Sequence, residues 1–102
     1  MVRVITDTGS ITTSSGSATA TIFLKKSILE QIIINPATST TTYDISLTDG
    51  GGFIIYDMDD LTGDFIEDEP GVPTDSTLTL TISNASADEL FTYKLKGVES
   101  YD

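Results

Sequence analysis

The sequence predicts an all-β fold, a single-domain antiparallel β-sandwich of jelly-roll-like form with a flexible N-terminal arm. Three observations predict it. Apolar and polar residues alternate with a period of two in several short runs; the strictest sets Leu78, Leu80 and Ile82 against Thr77, Thr79, Thr81 and Ser83. Threonine is abundant, and its branched Cβ suits a pleated sheet better than a helix. Turn residues separate the runs, and no 3.6-residue period is sustained.

Taken in order, Val2, Val4 and Ile5 fit a short first strand. Thr6 to Ser17 is dominated by Thr, Ser and Gly, with Ile11 as its one strong apolar residue, so it reads as a loop or mobile arm. The chain therefore divides into an arm, residues 1–17, and a sandwich domain, residues 18–102. Val2, Arg3, Val4, Ile5 and Ile11 are the candidate partner-binding residues, a sticky tip on a tether able to add to a neighbouring sheet. Ala18, Ala20, Ile22 and Leu24 alternate with Thr19, Thr21, Phe23 and Lys25 as a strand. Ile28 to Ile34 is β-branched, yet Ser27-Ile28-Leu29-Glu30 also fits a capping box, so a strand and a short helix both fit here.

Tyr43, Ile45 and Leu47 alternate with Thr42, Asp44, Ser46 and Thr48. Asp49-Gly50-Gly51-Gly52 then supplies a hairpin turn into Phe53 to Met58. Leu61 to Asp75, with two prolines and two glycines, reads as a loop anchored by Phe65 and Ile66. After Thr77–Ser83 and the turn at Asn84 to Asp88, the strand Leu90 to Lys96 turns Phe91, Tyr93 and Leu95 inward. The aromatics Tyr43, Phe53, Tyr56, Phe91 and Tyr93 are expected in the core and Tyr101 outside it.

A chain of 102 residues suits one domain, and a core this thin predicts extra stability from an oligomer or from docking on a larger surface. Without Cys there is no disulfide framework or thiolate metal site, and without His or Cys the common catalytic triads and dyads are unavailable, so no enzyme and no cofactor are expected. The N-terminus lacks a signal-peptide apolar region, and Ile32-Ile33-Ile34 is far too short to cross a bilayer, which predicts synthesis in the cytosol without export by a cleaved signal. The net charge of −11 disfavours direct binding to nucleic acid or an anionic membrane and favours a basic partner. Lys25, Lys26, Lys94 and Lys96 form a common basic surface if the first and last sandwich strands pair.

The densest acidic cluster runs from Asp57 to Asp64. Hard cations take oxygen ligands from alternating carboxylates, which makes Asp57, Asp59 and Asp64 the candidate metal ligands. Leu61 and Thr62 stand where a calcium loop of the EF-hand kind needs an oxygen ligand and a glycine. The bland reading is a solvated acidic loop that keeps an edge from pairing.

Ser17-Ala18-Thr19-Ala20-Thr21, Tyr43-Asp44-Ile45-Ser46-Leu47-Thr48-Asp49-Gly50 and Leu78-Thr79-Leu80-Thr81-Ile82-Ser83-Asn84-Ala85 resemble stretches of small virion structural proteins of tailed bacteriophages. In character the chain is similar to capsid decoration (cement) proteins. The resemblance implies a non-enzymatic virion component, made in the host cytoplasm, that stabilises the outer shell. Its partners would be the major capsid protein or other virion proteins, and it would be a homo-oligomer, a trimer being favoured. A neck, tail or fibre-attachment component is the alternative within that class. A soluble calcium- or carbohydrate-binding β-module is the alternative outside it.

Overall fold

The computed structural model describes residues 2–74 and 77–100. Tyr101, expected to be exposed, lies outside the described residues. Eight strands run in chain order as β1 (Val2–Thr12), β2 (Ala18–Phe23), β3 (Ile28–Pro36), β4 (Thr42–Thr48), β5 (Ile54–Thr62), β6 (Phe65–Pro73), β7 (Thr77–Ser83) and β8 (Leu90–Ser100). They form two four-stranded sheets, ordered β1-β8-β3-β6 and β2-β7-β4-β5, with every pairing antiparallel. Every connection except the β4–β5 hairpin crosses from one sheet to the other, and the first and last strands lie side by side. This is the jelly roll, two Greek keys folded face to face.

The two-residue period explains the core. Ile22 and Leu24, Leu29, Ile32 and Ile34, Tyr43, Ile45 and Leu47, Leu78, Leu80 and Ile82, and Phe91 and Leu95 are all buried between the sheets. The Tyr43 and Phe91 rings meet edge to face with centroids 5.1 Å apart, a favourable aromatic geometry. On the outer face of the second sheet, Thr19, Thr21, Thr79, Thr81, Ser46 and Thr48 sit side by side across β2, β7 and β4.

Three expectations are corrected. Residues 2–12 are not an arm: β1 pairs with β8 without interruption from Val2↔Ser100 to Thr12↔Leu90. The alternation is hidden because Asp7 and Gly9 occupy core-side positions between Ile5 and Ile11. Asp7 accepts the Phe23 N–H across the gap between the sheets at 2.7 Å, and Gly9 leaves room for the Tyr93 hydroxyl, which would lie 2.5 Å from an added Cβ. Residues 61–73 are not a loop: they complete β5 and form β6, whose Pro70 and Pro73 are tolerated because an edge strand has unpaired positions. Ile28–Pro36 is a strand throughout, so the capping-box alternative falls.

β1, with 11 residues, spans about 36 Å, so the strands run along the long axis of a 45 × 25 × 20 Å body. One end collects the β1–β2, β3–β4, β5–β6 and β7–β8 connections. The other collects β2–β3, β4–β5 and β6–β7, together with the start of β1 and the finish of β8.

Candidate functional site

Five of the eight large apolar side chains exposed among the described residues lie at that second end: Val4, Phe23, Ile28, Phe53 and Ile54. Their exposure follows from strand parity. On β2, inward Ala20 and Ile22 leave Phe23 on the outer side, 60% exposed and opposite Thr77. Ile54, 64% exposed, stands opposite the outward Thr48. On the other sheet Val4, Val98 and Ile28 are lateral neighbours across β1, β8 and β3, with Pro73 of β6 beyond them. An apolar row thus crosses all four strands.

Phe53 corrects an expectation, since it was placed in the core and is 71% exposed. The cause is local. One carboxylate oxygen of Asp49 accepts the N–H groups of Gly51 and Phe53 at 2.9 Å each, and the Asp49 N–H donates to the Phe53 carbonyl at 2.8 Å. This closes the β4–β5 turn on itself and presents the ring to solvent. Tyr43 and Phe91 are core residues as expected, while Tyr56 and Tyr93 are partly buried against the core.

The sequence-derived partner residues scatter. Ile5 and Ile11 pack on the core. Arg3 is paired with Glu99 on the adjacent β8. Val4 is exposed on the apolar row, and Val2 is described only by its backbone pairing to Ser100.

The candidate metal ligands also separate. Asp57 and Asp59 lie on β5 and Asp64 in the β5–β6 turn; among the described residues no group of three carboxylates converges as a cation would require. β5 bulges opposite Asp44, so Asp59 and Asp60 crowd it: the Asp60 N–H donates to Asp44 at 2.9 Å. Repulsion from Asp44 first, then partial burial and the charges of Asp57 and Asp60, raise the Asp59 pKa. The Asn84 side chain and then the Asp60 N–H hold Asp44 below its ordinary value. Lys94 and Lys96 line the outer face of β8 as expected, but Lys96 reaches Glu30 at 3.5 Å.

The opposite end is polar and interlocked. The Glu89 carboxylate accepts the Thr38 N–H at 2.8 Å and the Thr41 hydroxyl at 3.1 Å. Desolvation pushes its pKa up, but these hydrogen bonds prevail and the net shift is downward. Asp88 accepts the N–H groups of Ser15 and Gly16 at 3.1 and 2.8 Å. The shallow hollow beside it, lined by Ser, Gly, Asn and Ala with Asp88, offers no aromatic ring to stack on a sugar. The buried Tyr43 hydroxyl donates to the Gly63 carbonyl at 2.6 Å; burial, then the charge of Asp64, push its pKa up to about 12. Gly63 escaped the sequence reading, although Leu-Thr-Gly-Asp is a turn signature.

No protein-family model matches the chain, and no curated protein sequence matches it. Among solved structures, it is similar to a chain of infectious bursal disease virus Gt strain, with a TM-score of 0.41, 12% identity and coverage of 95% of this chain and 31% of that one. A chain of the Gx strain gives a TM-score of 0.35 at 15% identity, covering 97% and 32%. This chain spans about a third of the length of either.

Proposed function

We propose that this chain is a non-enzymatic structural component of a virus particle, a decoration protein seated on the outer capsid of a tailed phage through its apolar end. The observation that carries the reading is the grouping of Val4, Phe23, Ile28, Phe53 and Ile54 at one end of a body whose other end is closed by hydrogen bonds. Exposed apolar side chains collected in this way mark a protein–protein contact. A fold does not name a function, but the jelly roll is a common architecture of capsid components, and the phage-like stretches on β2, β4 and β7 agree with it. With no His or Cys in the chain, the common His- and Cys-based nucleophile arrangements are unavailable. Each copy needs only modest affinity, because many copies on a lattice act together.

The test is to mix the purified protein with phage particles lacking it and count bound copies. The reading expects a stoichiometry matching the capsid lattice, abolished by Phe23→Ser with Phe53→Ser. A few copies at a single vertex would identify a neck or tail component instead. Lattice-level binding that survives both substitutions would refute docking through this end.

A further inference from the structure

The ladder between β3 and β6 is broken once. Ile28↔Pro73 and Leu29↔Val72 are paired, and pairing resumes at Gln31↔Asp68, so one residue of β3, Glu30, faces three of β6: Glu69, Pro70 and Gly71. The surplus is taken up by left-handed backbone at Glu69 (φ 57°) and Gly71 (φ 70°). An unequal bulge forces the strands apart locally. Here it opens a hollow of about 320 Å³ lined by Ile28, Leu29, Glu30, Glu69, Gly71 and Val98.

We propose that this hollow seats one lysine or arginine side chain of a protein partner, its methylene stem on Ile28 and Val98 and its cationic head at Glu30 and Glu69. The volume lies at the small end of ligand pockets, suited to a single side chain rather than a cofactor. The apolar wall asks for a hydrocarbon stem, and the two carboxylates ask for a cation; lysine and arginine carry both parts. The chain's own charge of −11 draws such a partner in. Lys96 already stands 3.5 Å from Glu30, but that pair is partly exposed, 29% and 41%, and exchanges readily. Glu69 makes no ion pair among the described residues. Ile28 belongs to the apolar end as well, so a partner covering that end reaches the hollow. The assignment stands whether or not that partner is a capsid.

Two-dimensional amide NMR of the full chain, titrated with pentylammonium chloride and separately with 1-pentanol, tests it without any particle. Pentylammonium should shift the amides of Ile28, Glu30, Glu69, Gly71 and Val98 and saturate in the millimolar range, with pentanol much weaker. Glu30→Gln with Glu69→Gln should weaken pentylammonium about tenfold while the remaining spectrum confirms the fold. Lys96→Ala should tighten it by removing the internal competitor. Equal binding of the alcohol, unchanged affinity in the double variant, or no shift at these amides would each overturn the proposal.

Discussion

At one end of the sandwich the four connections answer one another's polar groups; at the other, β2–β3 and β6–β7 are bonded to each other at Ser27 and Thr74 while the β4–β5 turn closes on itself, and apolar side chains face solvent. Thr13 links β1–β2 to β7–β8 by donating to the Ala87 carbonyl and accepting the Glu89 N–H. Glu89 links β7–β8 to β3–β4, and the Gly63 N–H links β5–β6 to the Thr41 carbonyl at 3.0 Å. At the apolar end, a buried pair of hydroxyls, Ser27 and Thr74 at 3.0 Å, ties β2–β3 to β6–β7, whereas the described bonds of the β4–β5 turn are its own. The difference teaches how one small domain combines rigidity with adhesion. Several backbone N–H groups at the polar end, those of Ser15, Gly16, Thr38 and Gly63 among them, are paired inside the protein. The apolar end leaves surface whose burial awaits a partner.

The strongest blow to the polar end is Gly63→Ala. Gly63 has φ of 65°, and a Cβ there would lie 2.5 Å from the Ser39 carbonyl oxygen, a backbone atom that cannot swing away. Strain and clash together should cost about 3–5 kcal/mol, enough to lower the melting temperature by roughly 15 °C or more. Denaturant unfolding measures it; a loss below about 1 kcal/mol would show that this end yields, contrary to the contrast drawn above. Tyr43→Phe is milder. It keeps the ring against Phe91 but strands the Gly63 carbonyl, for an expected loss of about 1–3 kcal/mol.

The same contrast bears on what could be read from residues alone. β4, β7 and β8 were legible because one side of each faces the core and the other faces water, so apolar and polar residues alternate cleanly. The edge strands were not. Gly9 and Asp7 take inward positions on β1 for reasons visible only once Tyr93 and Phe23 are placed. β5 carries acids on both parities because its bulge and its free edge both meet solvent. Residues 57–69 hold seven of the 16 acidic side chains and no basic one, which resembles a cation loop until the strands spread those acids along an edge. Of the apolar end, Phe23 followed from parity. Phe53 did not, because the Asp49 bonds that turn it outward are set by backbone geometry.

Acid should act selectively on the polar end. Glu89 and Asp44 have folded pKa values below their ordinary 4.5 and 3.8, so each stabilises the fold fully above those values and loses that contribution as pH falls through the lower folded pKa. Melting temperature should therefore decline on acidification through this range, and Glu89→Gln should flatten part of that decline. Asp59 has the opposite sign: its raised pKa means that the ionised carboxylate opposes folding at neutral pH. Asp59→Asn should raise the melting temperature slightly at low ionic strength, and the gain should fade in about 1 M salt, where screening acts within ~3 Å. A gain unchanged by salt would assign the effect to packing.

The smallest effect on stability belongs to the apolar end, and that is its diagnostic. Phe53 and Ile54 are 71% and 64% exposed, so replacing them by Ser and Thr removes little that folding buried. Unfolding free energy should change by no more than about 0.5 kcal/mol, as for surface positions generally. Binding of a hydrophobic dye should nevertheless fall, because two of the exposed apolar side chains of that end are removed. A docking surface is recognised by that dissociation: side chains that matter to a partner and hardly at all to the isolated chain. If the double variant instead lost several kcal/mol, the exposed ring of Phe53 would be supporting the β4–β5 turn, and the asymmetry between the ends would be one of construction rather than of recognition.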